Sequence, residues 1–232
     1  MGCVVSVIIP AYNESSAVAS TIAAAKASTG DVSEVLVVDD GSTDDTAWEA
    51  RKAGAGVLRL ERRSGKGAAL GEGIKQVKGD IVVFLDADVG DKASEIRRLI
   101  EPVAAGEADM VVARFPRSSG KAGGFGIVKS VAAFGIRRLC GMRMTAPLSG
   151  QRAARREVFL ALAPFAAGFG VEVALTIDAV RCGYRVVEKD CMMAHRETGR
   201  DVAGFLHRAR QLYWVIKAFA GRCSPPRAKR LP

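Results

Sequence analysis

Short apolar runs alternate with amphipathic stretches along the first half of the chain. The runs are rich in Val and Ile and have the length of buried β-strands, while the stretches between them repeat their apolar positions at helical spacing. Strands are predicted at 5–10, 34–40, 57–61, 80–88 and 109–114, and helices at 15–28, about 42–52, 64–77 and 93–105. This alternation predicts an α/β domain whose mostly parallel sheet is flanked by helices on both faces.

The second half of the chain is less regular. Residues 114–126 are rich in glycine and basic residues and have no period, which predicts a loop. Helices are predicted at 127–139, from about residue 155, and at 171–182, with a late strand at 184–190. A last, amphipathic helix is predicted at about 202–220. Its apolar side would consist of Phe205, Ala209, Leu212, Ile216 and Phe219, and its polar side of His207, Arg210, Gln211, Trp214 and Lys217.

Composition supports this picture and excludes several classes of protein. The chain is 49% hydrophobic but only 6% aromatic, so its core must consist of aliphatic residues, as is typical of buried parallel strands. The five cysteines are scattered, without a CxxC pair, which argues against a disulfide framework and a structural zinc site. No apolar run reaches the roughly 20 residues that span a bilayer. We therefore expect a cytoplasmic protein.

The formal net charge of +9 is concentrated at the C-terminal end. Residues 196–232 contain nine Lys and Arg against two Asp and Glu, which predicts an anionic partner. Trp214 between Arg210 and Lys217 would suit a peripheral contact with the anionic inner face of a membrane. The alternative is an ordinary helix that packs on the core. No nucleic-acid partner is expected, because neither an aromatic platform nor a basic recognition helix is present.

Polar side chains follow four of the predicted strands at the point where each strand ends. They are Tyr12-Asn13-Glu14, Asp39-Asp40, Asp86-Ala87-Asp88 and Arg114. In an open parallel sheet, ligands bind beyond the carboxyl ends of the strands, so these side chains predict a site at that edge.

Asp86 and Asp88 carry the most specific chemistry at this edge. Two carboxylates so close together repel each other unless a cation neutralises them, and hard oxygen ligands suit Mg²⁺ or Mn²⁺. Because Mg²⁺ usually shares phosphate oxygens of a substrate, the pair predicts a diphosphate ligand. A solvated turn with two acids is the alternative, which the other acidic strand ends disfavour.

Three motifs resemble the nucleotide-binding half of family 2 glycosyltransferases: VSVIIPAYNE at 5–14, VLVVDDGSTDDT at 35–46 and VVFLDADV at 82–89. The resemblance implies a GT-A fold with a Rossmann-like sheet. It also implies a nucleotide-sugar site that contains Pro10, Ala11, Tyr12, Glu14, Asp39, Asp40, Asp86 and Ala87. Asp39 would hold the base and ribose, and Asp88 would be the principal metal ligand.

SGKGAAL at 64–70 resembles a segment shared by polyprenyl-phosphate sugar transferases and glucosyl-3-phosphoglycerate synthases. Lys66, between two glycines near a helix start, can approach a pyrophosphate closely. A plain surface lysine is the alternative.

Two further motifs, PLSGQRA at 147–153 and GFGVEVALTIDA at 168–179, resemble the acceptor side of the same two groups. Glu172 would act as a base on an acceptor hydroxyl if the reaction inverts the sugar, or would position the sugar if it does not. A Glu stabilised by the helix dipole is the alternative. The resemblance further implies His195 as a metal ligand beside Asp86 and Asp88. Arg152, Arg196 and Arg200 would bind the acceptor phosphate.

These observations predict a metal-dependent transferase that moves a hexose, with UDP-glucose the favoured donor, to a phosphorylated acceptor. The acceptor would be polyprenyl phosphate or a soluble phospho-acid such as 3-phosphoglycerate. Residues 1–115 would bind the nucleotide sugar and residues 116–200 the acceptor, with a basic helix and tail at 201–232, and a homodimer is an open expectation. The alternatives are a sugar-nucleotide binder without turnover, and a pyrophosphorylase, which should carry a glycine-rich loop where this chain has PAYNE.

Overall fold

Seven strands form one sheet in the computed structural model of the chain. The structure describes residues 3–115, 126–193 and 202–222, and in the last of these ranges it describes side chains from residue 209 onward. The strands are β1 (Val5–Ala11), β2 (Val32–Asp39), β3 (Gly56–Arg59), β4 (Ile81–Phe84), β5 (Met110–Arg114), β6 (Arg152–Arg155) and β7 (Val186–Asp190). Their order is β3-β2-β1-β4-β6-β5-β7. All neighbours are parallel except β6, which runs antiparallel to β4 and β5. The predicted mostly parallel α/β sheet is confirmed.

The helices are α1 (Val18–Ala27), α2 (Thr46–Lys52), α3 (Lys66–Gln76), α4 (Arg97–Ala104), α5 (Ile127–Cys140), α6 (Arg156–Leu162), α7 (Val171–Arg181) and α8 (Val202–Ala220). Two predicted elements differ from the structure. The strand predicted at 80–88 ends at Phe84, where its pairing with Ile8 and with Arg152 stops, so Asp86 and Asp88 lie in a loop. The helix predicted at 93–105 begins as a 3₁₀ segment at Gly90–Ile96.

Strict alternation along β1 divides the core between the two faces of the sheet. Val5, Val7 and Ile9 pack with buried residues of α1 and α4 on one face, and Ile8 packs with those of α3, α6 and α7 on the other. Burial of each such side chain contributes about 1.5–3 kcal/mol. The strand therefore stays rigid up to its carboxyl end, where the polar residues begin.

A third cluster of buried residues joins α5, α7 and α8, and it corrects the prediction for the last helix. Val215 and Ala218 are the buried positions of α8, whereas Ile216 is 53% exposed. The predicted apolar side was therefore wrong at Ile216 but right at Phe219, which packs against this cluster, because burial depends on what the helix packs against. Among the described residues, no helix is long and apolar enough to cross a membrane.

Candidate active site

A cleft of about 930 Å³ lies at the carboxyl ends of β1 and β4, between which the strand order reverses. Its volume is in the range of about 300–1,000 Å³ that is usual for ligand sites. Ten residues expected at the site line this cleft: Pro10, Ala11, Tyr12, Glu14, Asp40, Lys66, Asp86, Ala87, Asp88 and Glu172. The structure thus brings together residues of five motifs that are far apart in the sequence.

The loops that follow β1 and β2 are tied together by hydrogen bonds. The backbone N–H of Asn13 donates to Ser42 Oγ at 3.0 Å, and that of Thr43 donates to Asn13 Oδ1 at 2.9 Å. The backbone N–H of Glu14 donates to Thr46 Oγ1 at 2.8 Å. These bonds fix the wall of the cleft that presents Tyr12.

The two acids at the end of β2 have different surroundings. Asp40 lines the cleft, and its carboxylate accepts hydrogen bonds from the backbone N–H groups of Ser64 at 2.6 Å and Gly65 at 2.7 Å. Asp39 is fully buried, accepts a bond from the Ser42 N–H at 2.9 Å and lies 3.4 Å from Arg59 Nε. Asp39 is not among the residues that line the cleft, so its role toward base and ribose stays a prediction.

Arg63 is a cleft residue that the sequence analysis missed. Its guanidinium lies over the Tyr12 ring, 3.9 Å from the ring centre. Such a contact stabilises both side chains and gives the cleft a flat, cationic surface at the end of β1. The only signal in the sequence is a basic pair just before the glycines of 64–70, which by itself is ordinary.

Lys66 bridges two carboxylates at the centre of the cleft. Its Nζ lies 2.6 Å from Asp86 Oδ1 and 2.8 Å from Glu172 Oε1. Burial by itself would lower the pKa of Lys66, but Asp86 and Glu172 outweigh burial and raise that pKa above its ordinary value. Gln151 Nε2 donates to Asp86 Oδ2 at 2.9 Å. The lysine therefore stays charged, and both oxygens of Asp86 already have protein partners.

Arg152 is fully buried on β6 and does not line the cleft, although it was expected to bind the acceptor. Its Nε donates to the Ser149 carbonyl at 3.1 Å and its Nη1 to Thr176 Oγ1 at 2.9 Å. Burial lowers the pKa of Arg152 to about 10, against the opposing charges of Glu172, Asp86 and Glu188. In this structure Arg152 therefore acts as a buried countercharge behind the cleft, and its contact with an acceptor stays a prediction.

Asp88 differs from Asp86 in having no hydrogen bond to its carboxylate within the described parts of the chain. Lys66 and Arg152 balance Asp86 and Glu172, and Asp40 accepts two backbone hydrogen bonds, so Asp88 is the acid of the 86–88 segment suited to neutralise a cation. Among the described residues, no three or more His, Cys, Asp or Glu are placed so that they could hold a metal ion together. One carboxylate with phosphate oxygens and waters is nevertheless a usual set of Mg²⁺ ligands, so the site fits the ion. His195, Arg196 and Arg200 lie outside the described residues.

The fourth polar strand end does not belong to the cleft. Arg114, at the end of β5, forms an ion pair with Asp190 of β7, with Nη2 2.7 Å from Oδ2. Hydrogen bonding to Asp190 raises the pKa of Arg114. This pair joins two neighbouring strands at the surface, so Arg114 stays apart from the cleft that the acidic strand ends line.

The last wall of the cleft comes from α8 and from residues 167–169. Arg210, Gln211, Tyr213 and Trp214 line it. A Cβ atom on Gly168 would lie 2.4 Å from the Trp214 ring, so only glycine allows this contact. Trp214 and Arg210, which the sequence analysis considered for a membrane contact, line the cleft in this structure.

The motifs at the cleft extend over most of the chain. Residues 6–162 match the family model described as "Glycosyl transferase family 2". The chain belongs to glycosyl transferase family 2.

Relatives of known activity support the assignment of this family 2 member. The glucosyl-3-phosphoglycerate synthase of Mycobacterium tuberculosis (strain H37Rv) is 35% identical over 251 residues, which cover 97% of this chain and 75% of that protein. The glycosyltransferase AglJ of Haloferax volcanii is 29% identical over 204 residues, which cover 85% of this chain and 65% of that protein. The chain is thus a glycosyltransferase, and the pyrophosphorylase alternative is not supported.

Solved structures agree with the fold of the family 2 enzyme. The crystal structure of the M. tuberculosis synthase in complex with Mn²⁺, UDP and phosphoglyceric acid has a TM-score of 0.80 and 32% identity. The match covers 98% of this chain and 81% of that chain. A complex of the same protein with Mg²⁺ and UDP has a TM-score of 0.79 and 31% identity. The expected GT-A fold is confirmed.

Two glycines of α3 test how closely this helix, which begins at Lys66, must approach the segment at residues 165–166 of this family 2 enzyme. A Cβ on Gly67 would lie 2.0 Å from the Ala166 carbonyl oxygen, whereas one on Gly71 would find its nearest neighbour, Phe165 Cδ2, at 4.0 Å. We expect Gly67→Ala to lower the free energy of unfolding by about 1–3 kcal/mol, because backbone atoms cannot move aside easily. Gly71→Ala should raise it by about 0.5–1 kcal/mol through helix propensity.

Urea unfolding measures both effects, with the slope checked for constancy. The two variants make the same chemical change on the same helix. Equal effects in Gly67→Ala and Gly71→Ala would contradict the close approach of α3 to Ala166.

Proposed function

We propose that this chain transfers glucose from UDP-glucose to 3-phosphoglycerate, with Mg²⁺ or Mn²⁺ as cofactor. The observation that carries the proposal is the match over 98% of the chain, at a TM-score of 0.80, to a synthase bound to Mn²⁺, UDP and phosphoglyceric acid. A cleft at the same kind of sheet edge, with acids and a lysine at its centre, supports it.

The donor would lie along the ends of β1, β2 and β4. Pro10, Ala11, Tyr12 and Glu14 would surround the base and ribose, with the Tyr12–Arg63 stack as a flat wall and Asp40 beside it. Lys66 would contact the diphosphate, since α3 begins at this residue and the N-terminus of a helix favours anions. Ala87, between the two acids, leaves room for the sugar.

Asp88 would hold the metal ion, with His195 as the further ligand that the family resemblance implies. When bound, the ion neutralises the charge that develops on the departing diphosphate. Lys66 adds a fixed positive charge there, because Asp86 and Glu172 keep it protonated and in place. Preorganised charge of this kind avoids the reorganisation that water would require.

Glu172 is ion-paired, so it is best suited to accept a hydrogen bond from a hydroxyl group of the sugar or the acceptor. Removal of the acceptor proton by Glu172 would apply to an inverting reaction. In a retaining reaction the same carboxylate would position the sugar. The stereochemical course, a homodimer and a membrane contact stay predictions.

The acceptor is tested by partition of a labelled product. The chain is incubated with UDP-[¹⁴C]glucose, Mg²⁺ or Mn²⁺, and either 3-phosphoglycerate or polyprenyl phosphate, and is then extracted with organic solvent. We expect label in a new anionic product in the aqueous phase, with 3-phosphoglycerate only, and none after chelation of the metal. Transfer into the organic phase would support the polyprenyl acceptor instead. Donor binding without release of UDP would favour the binder without turnover.

A further inference from the structure

One wall of the cleft is made by a helix beyond the matched family segment. The family model ends at residue 162, whereas Arg210, Gln211, Tyr213 and Trp214 of α8 line the same cleft as Asp88 and Lys66. These four residues therefore supply side chains to the cleft that lie outside the segment matched by the family model.

This wall is held in place on both sides. Trp214 packs on Gly168, Lys217 Nζ lies 4.9 Å from the Trp214 ring centre, and Tyr213 meets the ring edge-on at 5.5 Å. Val215 and Ala218 are buried against the neighbouring helices. The following turn is fixed where Arg222 Nε donates to Asp178 Oδ1 of α7 at 2.7 Å. Arg210 lies one helical turn before Trp214 and so projects from a rigid element.

The charges of the cleft single out Arg210. Three of the residues that line it are cations: Arg63, Lys66 and Arg210. Arg63 is stacked on Tyr12, and Lys66 is paired with Asp86 and Glu172. Arg210 lines the cleft and forms no ion pair with any carboxylate of the described residues, so among them its guanidinium is the cation of the cleft without a charged or stacked partner. A guanidinium binds phosphate through two parallel hydrogen bonds, which suits it to a phosphorylated ligand.

We propose that Arg210, supported by the Trp214 ring, binds the phosphate group of the acceptor. The inference rests on the proposed function, because a phosphorylated acceptor is what would need such a site. The ring of Trp214 supplies an apolar surface for the carbon chain, and Arg210 supplies the charge. Among the predicted acceptor arginines, Arg152 is buried and does not line the cleft.

Steady-state kinetics of Arg210→Met test the assignment. The KM for 3-phosphoglycerate should rise about 10- to 100-fold, while the KM for UDP-glucose stays within about twofold. Arg210→Lys should give an intermediate KM, because it keeps the charge but loses the paired hydrogen bonds. With glycerate as the acceptor, which lacks the phosphate, wild type and Arg210→Met should have the same low kcat/KM. The control is Arg138→Met, the same change at an exposed position of α5 outside the cleft.

A rise in the KM for UDP-glucose alone would overturn the proposal and make Arg210 a donor residue. Unchanged constants for both substrates would overturn it as well. So would an equal loss with glycerate, because the phosphate would then not be the group that Arg210 binds.

A binding experiment separates this inference from the proposed function. The chain has two tryptophans, and Trp48 lies 55% exposed on α2, so Trp48→Phe leaves Trp214 as the sole tryptophan reporter. Addition of 3-phosphoglycerate should change the Trp214 fluorescence, and Arg210→Met in that background should remove the change. A fluorescence change without turnover would contradict the proposed reaction but support the subsite. Turnover of 3-phosphoglycerate with no Arg210-dependent change would overturn the subsite alone.

Discussion

Asp88→Asn should lower the turnover number at least about a thousandfold, yet leave the protein as stable as the wild type. A metal ion at a departing diphosphate supplies several kcal/mol, and each 1.36 kcal/mol corresponds to about a tenfold change in rate. Asp88 is the acid of the 86–88 segment that Lys66 and Arg152 do not balance, since they offset Asp86 and Glu172. Because no described residue donates a hydrogen bond to its carboxylate, the substitution removes no hydrogen bond within the described part of the chain, and we expect the free energy of unfolding to change by less than about 0.5 kcal/mol.

Thermal unfolding provides a measurement that does not depend on turnover. UDP and Mn²⁺ together should raise the melting temperature of the wild type more than UDP alone, since a bound ligand stabilises the folded state. Asp88→Asn should lose the increment due to Mn²⁺ and keep that due to UDP. Asp91→Asn, at an exposed acid of the next segment, is the control and should keep both. Near-normal turnover in Asp88→Asn would rule out the metal assignment.

Asp86→Asn distinguishes the two acids. It should lower stability as well as turnover, because the Asp86 carboxylate accepts bonds from both Lys66 and Gln151. Removal of the charge would leave Lys66 with one carboxylate partner instead of two. If the two substitutions had the same profile, the distinct roles of Asp86 and Asp88 would be wrong.

The donor half of the site could be predicted from sequence because it depends on local features. A buried parallel strand needs a continuous apolar run, and the first polar residue after such a run marks the edge at which ligands bind. Ala11 and Phe84 end β1 and β4 in this way, and Tyr12 and Asp86 follow closely. Neither inference requires knowledge of which residues from other segments face these strand ends in the folded protein.

The rest of the site depends on contacts between distant segments, which a single sequence does not encode locally. The polar and apolar sides of α8 were assigned by periodicity, but the glycines at 168–170 draw Trp214 inward, so the buried side is rotated. Arg152 is of the residue type expected to bind a phosphorylated acceptor, yet its position on β6 between β4 and β5 buries it. Arg114 follows a strand as the acids do, but its neighbour β7 supplies Asp190 as partner.

Lys66→Met should lower the turnover number about 100- to 1,000-fold, the usual cost of removing one preorganised group that stabilises developing charge. We also expect Lys66→Met to lower the stability of the folded protein, for a separate reason. Asp86 and Glu172 are 21% and 9% exposed in their side chains, and both would lose the cation that pairs with them. Carboxylates left without a partner in that setting should lower the free energy of unfolding by about 1–3 kcal/mol.

The double variant Lys66→Met/Glu172→Gln separates pairing from catalysis. Because it removes one uncompensated charge, it should be more stable than the sum of the two single variants, with a coupling of about 0.5–3 kcal/mol. Its turnover should nevertheless remain as low as that of Lys66→Met, since the cation at the diphosphate is still absent. Lys75→Met is the matched control on α3, where the exposed pair with Glu72 contributes at most about 1 kcal/mol. Recovery of turnover in the double variant would mean that Lys66 acts only by neutralising Glu172, and its proposed contact with the donor would then be wrong.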